Sequence, residues 1–194
     1  MLSKSQLYKK RFFDLLLAFV VFPFIILPLL IIFIICCLDT RSFGVFFQKR
    51  IGQEGLPFTI YKFKTLKDEP HFLGHLDKSA SVVGKFFRKY KLDELPQIFN
   101  VLKGDMGFVG PRPDVPGFAD KLKGENRIIL QIKPGITGPA TLKYKHEEVL
   151  LRKQGDPESF NLEVIWPDKV EINKKYVQNW SFSVDLRFLI KSIV

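Results

Sequence analysis

An acidic pair, Asp93 and Glu94, precedes Pro96, and helices tolerate proline only in their first turn. We therefore expect both carboxylates at the N-terminus of a short amphipathic helix, where the helix dipole favours their ionised form. An ionised carboxylate can act as a nucleophile or as a ligand for magnesium. Plain helix capping produces the same pattern, so the pair taken alone does not decide between chemistry and capping.

A glycine-rich turn and a constrained arginine follow the acidic pair. The glycines of this turn, among them Gly104, Gly107 and Gly110, let the backbone approach a ligand, and successive amides can bind an anion. Arg112 lies between two prolines, which stiffen its backbone as a bidentate phosphate clamp requires. Glycine-proline turns are common, but the pair, the turn and the arginine fall within the 22 residues 92–113. This combination favours phosphate chemistry.

Other motifs that carry chemistry are missing from the sequence. It contains no Walker loop, no dinucleotide fingerprint after a strand, no zinc spacing and no obvious Ser-His-Asp set. His71 and His75 are four residues apart, but Gly74 lies between them and no third ligand is near. We interpret them as solvent-facing residues of a mobile loop that runs from Asp68 to Ser81.

A long apolar segment precedes all of these residues. Leu15 to Leu38 is a run of 24 residues without a charge, longer than the roughly 20 apolar residues that cross a bilayer core as a helix. A cleaved signal peptide has a shorter apolar core that ends in small residues, unlike Cys36-Cys37-Leu38. The sequence therefore predicts a segment embedded in a membrane.

The topology of this segment has two interpretations. Basic residues flank both of its ends, and basic residues favour the cytoplasmic side. Pro23 and Pro28 each remove an amide donor inside the run. A helix that breaks near Pro28 and returns to the same face satisfies both flanks, but a single kinked span is also possible, because membrane helices tolerate proline.

The bulk composition limits the class of protein. The length of 194 residues suits one globular unit, and the net charge of +10 attracts nucleic acid, anionic lipid or phosphorylated ligands. The aromatic residues follow membrane and core patterns, so we expect no nucleic-acid partner. The two cysteines are adjacent and offer no disulfide framework, which favours a reducing compartment.

Local patterns predict a mainly α-helical protein with one small β-hairpin. The hairpin is expected over residues 44–64, with its turn at residues 52–55. Helices are expected over residues 82–90, 92–104 and 118–132, and an amphipathic helix over residues 180–194. Residues 133–141 are expected to form a loop.

Eight sequence blocks resemble the bacterial sugar transferase family, the monotopic phosphoglycosyltransferases, in order over nearly the whole chain. They are Lys10 to Asp14, Gln48 to Gly52, Pro57 to Thr65, Leu92 to Gln97, Asn100 to Met106, Val109 to Pro113, Pro134 to Gly138 and Ser183 to Leu186. Together these blocks are highly specific.

The resemblance implies transfer of a phosphosugar from a UDP-sugar to a polyprenyl phosphate such as undecaprenyl phosphate, with release of UMP. It implies that Asp93 attacks the sugar-bearing phosphate to form a covalent intermediate and binds Mg²⁺, with Glu94 as its partner carboxylate. Arg112 matches a phosphate-binding arginine and Lys62 a lysine near the active site, and Arg88 is a further candidate phosphate contact. Magnesium neutralises the diphosphate in such a reaction.

The resemblance also implies an architecture and a location. Residues 1–40 would form a re-entrant helix-break-helix with its break at Pro28, and residues 41–194 a compact catalytic domain with interfacial amphipathic helices. This domain would face the cytoplasm at the bacterial inner membrane and start the assembly of a surface polysaccharide or glycoprotein glycan, which downstream glycosyltransferases would continue.

The chain departs from the family pattern at Leu27, where a serine is often found, at Asn173, where an acidic residue is common, and after Gly138. The segment after Gly138 would border the sugar pocket, so the resemblance does not specify the sugar. An alternative hypothesis is a basic, membrane-anchored module that binds anionic lipid or an acidic partner without catalysis. Magnesium-dependent product formation separates the two hypotheses.

Overall fold

A computed structural model describes residues 2–67 and 79–193 of the chain. His71, His75 and nearly all of the predicted loop that contains them lie outside the described residues. Within the described part the protein is mainly helical with a small β-hairpin, as the sequence predicts. The helices are α1 Lys4–Thr40, α2 Val82–Lys89, α3 Gln97–Lys103, α4 Pro139–Lys143, α5 Glu147–Arg152, α6 Pro157–Phe160, α7 Trp166–Gln178 and α8 Phe182–Ile193. The strands are β1 Val45–Ile51, β2 Pro57–Phe63, β3 Gly107–Val109 and β4 Gly135–Thr137.

The helix α1 has 37 residues and is the one described helix that is long and apolar enough to cross a membrane. Ser3 and Gln6 form a capping box at its start, and Arg41 in the left-handed region ends it. Pro23 and Pro28 lie inside this helix. The predicted interruption at Pro28 is therefore wrong as a break in secondary structure. A proline removes one hydrogen bond and bends a helix without having to end it.

The hairpin is confirmed, with β1 and β2 antiparallel and Val45 paired with Phe63 at its open end. A 3-10 turn at Gln53–Gly55 connects the strands, and Gly55 has a φ of 83°, a left-handed conformation that favours glycine. The register places Lys62 opposite Phe46 near the open end of the hairpin. Lys62 at this end bonds Glu94, so β2 contacts the acidic pair here.

The acidic pair precedes a helix, as predicted, but is not part of it. Leu92–Glu94 is a 3-10 turn, Pro96 is the N-cap of α3, and Gly104 ends α3 with a φ of 99°. Proline at the N-cap starts α3 later than the sequence pattern suggested. The carboxylates therefore do not cap the first amides of α3.

Two predictions for the middle of the chain are wrong. Residues 118–132 form the 3-10 turns Ala119–Lys121 and Gly124–Gln131 rather than an α-helix, because Lys123 is extended and Gly124 has a φ of 57°. The predicted loop of residues 133–141 contains β4, which pairs in parallel with β3, and the start of α4. The apolar residues of this region are spaced to meet the core from turns and a short strand, and not at the period of an α-helix.

The C-terminal amphipathic helix is confirmed as α8, which begins two residues after Trp180. Asp185 of α8 is buried and accepts hydrogen bonds from Lys10, Tyr176 and Trp180. This network joins α8 to the beginning of α1, so the two ends of the chain are held together.

The largest core cluster contains residues of both predicted domains. Ala18, Leu29, Ile32 and Cys36 of α1 pack in one cluster with buried residues of β2, α2 and α3. In the middle of α1, Phe22 and Ile25 also pack against this cluster, while the other side of the helix is exposed and Phe24 is 78% accessible. The helix α1 is thus attached to the rest of the protein along one side and exposes an apolar surface on the other.

Candidate active site

Glu94 is the centre of an ion-pair network. Its Oε1 accepts a hydrogen bond of 2.9 Å from Lys62 Nζ and another of 2.9 Å from Arg112 Nη2. The Glu94 side chain is buried, whereas the Arg112 side chain is 34% exposed. Arg112 therefore keeps guanidinium donors for a ligand while it holds Glu94.

Asp93 is also buried but has no such partners. No described hydrogen bond or ion pair reaches its carboxylate, and Oδ1 is sealed from solvent without a partner. A buried carboxylate oxygen without a partner is rare, because its lost hydration is not replaced. Such an atom indicates that its partner is a bound ligand or a neighbouring side chain that can rotate toward it.

The surroundings shift the pKa values of the two neighbouring carboxyl groups in opposite directions. Burial raises the pKa of Asp93, which the charges of Lys62 and Arg88 oppose only in part. Burial would also raise the pKa of Glu94, but Arg112 and Lys62 hold it well below its usual range. Pairs of acids whose surroundings separate their pKa values often divide the chemical roles between them. Two cations therefore hold Glu94 ionised, whereas burial disfavours the ionised form of Asp93.

Asn100 fixes the strand that supplies Lys62. Its Nδ2 donates to Thr59 O over 2.7 Å, and its Oδ1 accepts from the Tyr61 amide over 3.0 Å. These bonds clamp β2 onto α3, one residue before Lys62 and almost two turns after the acidic pair. The position of the lysine relative to both acids is set by backbone contacts and not by the ion pair alone.

Close backbone contacts hold the segment that carries Arg112. The Gly110 amide donates to Thr137 O and the Gly135 amide donates to Pro111 O, each over 2.9 Å. A Cβ atom on Gly135 would lie 2.1 Å from the Gly110 nitrogen, so this approach requires glycine. Arg50 adds a bond from Nη1 to Pro113 O over 3.1 Å. The glycines serve this backbone packing.

Arg88 lies at the edge of the site. Its Nη2 is 3.6 Å from Glu148 Oε2, and both side chains are 25% exposed. Its charge also opposes the raised pKa of Asp93. The structure thus brings four other predicted residues to the acidic pair: Lys62 and Arg112 bond Glu94, and Lys62 and Arg88 act electrostatically on Asp93.

Sequence reasoning missed a polar group beyond Arg112. Burial raises the pKa of Asp114 to about 6, against the opposing charges of Lys169, Arg50 and Arg112. Lys169 Nζ lies 2.7 Å from Glu147 Oε1, and Glu147 also acts electrostatically on Arg112. Asp114 and Lys169 are too far apart in the chain for a sequence pattern to predict that they lie together. The one local signal of this group is an aspartate directly after the Arg112-Pro113 pair.

Comparison with known proteins decides the family. The sequence profile of the bacterial sugar transferase family matches residues 5–194. The chain belongs to this family. The match spans all but the first residue of the described helices and strands, and it confirms the family that the eight sequence blocks indicated.

Three relatives illustrate the breadth of the bacterial sugar transferase family. An uncharacterized sugar transferase, EpsL of Bacillus subtilis, is 35% identical over 95% of this chain and 85% of its own length. The UDP-N-acetylgalactosamine-undecaprenyl-phosphate N-acetylgalactosaminephosphotransferase of Aeromonas hydrophila is 31% identical over 98% of this chain and 44% of its own. The UDP-glucose:undecaprenyl-phosphate glucose-1-phosphate transferase of Klebsiella pneumoniae is 30% identical over 95% and 39%.

The chain therefore spans less than half the length of these two named phosphotransferases. Their names carry different sugars, N-acetylgalactosamine and glucose, with undecaprenyl phosphate in both. The lipid acceptor is thus the common element of these names, and the sugar varies between relatives.

The residues around Asp93 fit a single magnesium ion. Among residues 2–67 and 79–193 no three His, Cys, Asp or Glu side chains are grouped as a metal cage. Magnesium does not need a cage, because one or two carboxylates, water and substrate phosphates complete its ligand set. Glu94 is engaged by two cations, whereas no hydrogen bond to Asp93 is found within residues 2–67 and 79–193. Asp93 is therefore the carboxylate that would hold the ion.

Proposed function

We propose that the protein transfers a phosphosugar from a UDP-sugar to undecaprenyl phosphate and releases UMP. The observation that carries this proposal is a buried carboxylate without partners, Asp93, beside an ion-paired glutamate and a partly exposed arginine. This arrangement occurs in a chain that matches the sugar transferase family over residues 5–194. The names of the relatives support undecaprenyl phosphate as the acceptor.

The first half-reaction forms a covalent intermediate on Asp93. A carboxylate oxygen of Asp93 attacks the phosphorus that bears the sugar, and the bond from this phosphorus to the UMP oxygen breaks. UMP leaves with the electron pair of that bond. Bound Mg²⁺ supplies charge neutralisation of the diphosphate. Arg112 and Arg88 bind phosphate oxygens, which positions the phosphorus for attack.

The second half-reaction regenerates Asp93. A phosphate oxygen of undecaprenyl phosphate attacks the same phosphorus, and the bond to Asp93 breaks. Glu94 takes part in neither bond change, because Lys62 and Arg112 hold it ionised. Its fixed charge orients these two cations, and through Arg112 it positions the phosphoryl group. The product is a sugar on a lipid diphosphate, a substrate for downstream glycosyltransferases.

The attachment of α1 supports a re-entrant topology. Arg11 near its start donates to Val101 O over 2.7 Å, and Asp39 near its end accepts from Ser81 Oγ over 2.6 Å. Both ends of α1 thus contact the same globular unit. An unbent helix would separate Arg11 from Asp39 by about 42 Å, more than the roughly 30 Å of a bilayer core. We infer a bend, with both ends on the cytoplasmic face.

Exposed apolar side chains on α2 and α8 support contact with the same membrane face. Val82 of α2 is 85% exposed and Tyr90 at its end is 56% exposed. On α8, Phe182, Leu186 and Ile190 are exposed to 44%, 37% and 63%. Exposed apolar faces beside basic residues are typical of interfacial helices. The site would thereby meet a lipid acceptor at the membrane surface.

The test is UMP release from UDP-N-acetylgalactosamine, UDP-galactose and UDP-glucose, with undecaprenyl phosphate and Mg²⁺. We expect release with one of these donors and a loss of at least about 1,000-fold in Asp93→Asn, because removal of a covalent nucleophile abolishes most of the catalysis. Asp120→Asn, at an exposed aspartate of a distant turn, is the matched control and stays active. A fully active Asp93→Asn protein would contradict the proposal, and a protein that releases no UMP would be the non-catalytic module.

A further inference from the structure

Gln97 carries a second buried polar atom without a partner near Asp93. The side chain is 2% exposed, and its Nε2 is sealed from solvent with no hydrogen bond. An amide N–H in this state is as unusual as the bare Oδ1 of Asp93. One atom is a donor and the other an acceptor.

The backbone brings these two atoms to the same side of the protein. From the 3-10 turn at Leu92–Glu94 through Leu95 and Pro96 the dihedral angles are helical, so Gln97 follows Asp93 by about one turn. Three residues later Asn100 clamps this path onto β2. Gln97 thus lies between the nucleophile and the clamp.

The turn that carries Asp93 packs against β2, where Lys62 donates to Glu94, the next residue, over 2.9 Å. This lysine of β2 is the strongest of the charges that oppose the raised pKa of Asp93. Side chains of glutamine and aspartate one helical turn apart form hydrogen bonds. Rotation of these side chains can therefore close a bond between Nε2 of Gln97 and Oδ1 of Asp93.

We propose that Gln97 is the positioning residue of the nucleophile: its Nε2 donates a hydrogen bond to Oδ1 of Asp93, directly or through one water molecule. This bond would pair both buried atoms. A buried donor or acceptor that lacks a partner destabilises the folded protein. It would also turn Oδ2, the other oxygen, toward the substrate as the attacking atom. The inference rests on the proposed function of Asp93, and it adds which oxygen attacks and what holds it.

The test compares two substitutions that keep the shape of the side chain. Gln97→Met has no hydrogen-bond donor, and Gln97→Glu replaces the amide by a carboxyl group. With the UDP-sugar that the wild-type protein uses best, we expect kcat to fall about 10- to 100-fold in both, as for other residues that orient a metal-binding carboxylate. The KM for the UDP-sugar should change much less than kcat, because neither substitution removes a substrate contact.

Gln53→Met is the matched control. Gln53 Nε2 donates to Gln131 O over 2.8 Å in the hairpin turn, away from the acidic pair. Its loss should leave kcat within about twofold of wild type, as for substitutions outside functional features. A merely structural Gln97 would lower the melting temperature but leave kcat per folded molecule unchanged.

Three outcomes separate this inference from the proposed function. Inactive Asp93→Asn with fully active Gln97→Met and Gln97→Glu overturns the role of Gln97 alone. Fully active Asp93→Asn overturns the proposed function as a whole. If both Gln97 variants fail to fold, a high-resolution structure of the wild-type protein decides. Gln97 Nε2 within about 3.5 Å of Asp93 Oδ1, or joined to it by one water, supports the inference, and a wider gap without water overturns it.

Discussion

At the scale of residues, the site depends on two adjacent acids that the protein treats differently. Glu94 is neutralised by Lys62 and Arg112, while the buried Oδ1 of Asp93 meets no hydrogen-bond partner in the arrangement that the structure describes. An unpaired buried carboxylate destabilises the folded state, and such strain is common where a residue must react. The stability and the activity of this protein should therefore respond to Asp93 in opposite directions.

The melting temperature of Asp93→Asn tests whether the buried Asp93 carboxylate destabilises the folded protein. Because the folded-state pKa of Asp93 is raised above its unfolded value, its ionised form destabilises the folded protein at neutral pH. The cost disappears as the pH falls through the raised pKa. We expect Asp93→Asn to melt above wild type at pH 7, by roughly 2–4 °C per kcal/mol relieved, and the difference to shrink toward pH 4.

Asp120→Asn is again the matched control for this comparison. Its exposed carboxylate accepts from the Gly117 amide, which an asparagine oxygen can also do, so little change is expected at either pH. Lower stability of Asp93→Asn at pH 7 would mean that the charges of Lys62 and Arg88 outweigh the cost of burying the ionised Asp93 carboxylate.

The sequence located much of this site because most of it is local. Asp93, Glu94 and Arg112 fall within one short segment, and the resemblance added Lys62 and Arg88. Their catalytic roles stay predictions. Asp114, Glu147 and Lys169 were missed, because only the fold brings residues so distant in the chain together.

At the scale of elements, patterns with a clear period were predictable and packing-driven segments were not. The hairpin, α2 and α8 have alternating or helical apolar spacing, and all three are confirmed. The parallel pair β3 and β4 consists of three-residue strands, each with glycine, too short to give a periodic signal. The interruption expected at Pro28 failed because proline can bend a helix without ending it.

Gly135→Ala tests the packing of this parallel pair. The new Cβ would lie 2.1 Å from the Gly110 nitrogen and would separate the strands that hold Arg112. We expect a loss of stability of about 1–3 kcal/mol, as for an overpacked core, together with lower activity. Melting curves and UMP release measure the two effects.

Gly155→Ala is the control for added volume. No heavy atom lies within 4 Å of a Cβ at Gly155, so this substitution should change stability by less than about 1 kcal/mol. Equal effects of the two substitutions would mean that the approach of β3 to β4 does not require glycine.

At the scale of the whole molecule, the apolar helix and the catalytic unit form one structure. Four buried residues of α1 belong to the main core. Near the start of α1, Lys10 donates to Asp185 of α8. The division into residues 1–40 and 41–194 stays a prediction about sequence segments. Composition alone could predict a membrane segment, but the contacts at both ends of α1 depend on the tertiary fold.

Cysteine labelling of intact membranes tests the topology of α1. In a Cys36→Ala, Cys37→Ser background, Ser5→Cys precedes the apolar run and Lys49→Cys follows it, both at exposed positions. We expect a membrane-impermeant maleimide to label both from the cytoplasmic face and neither from the other face. Phe24→Cys, in the exposed middle of α1, should be protected from both faces. Labelling of Ser5→Cys from the outer face would establish a single span.

The covalent intermediate tests the central claim most directly. The wild-type protein is incubated with its UDP-sugar and Mg²⁺ without undecaprenyl phosphate, quenched, and measured by intact-protein and peptide mass spectrometry. We predict a gain equal to one phosphosugar on the peptide that contains Asp93, its loss when undecaprenyl phosphate is added, and no gain in Asp93→Asn. UMP release at the full rate without any adduct, or an adduct on another residue, would contradict Asp93 as the nucleophile.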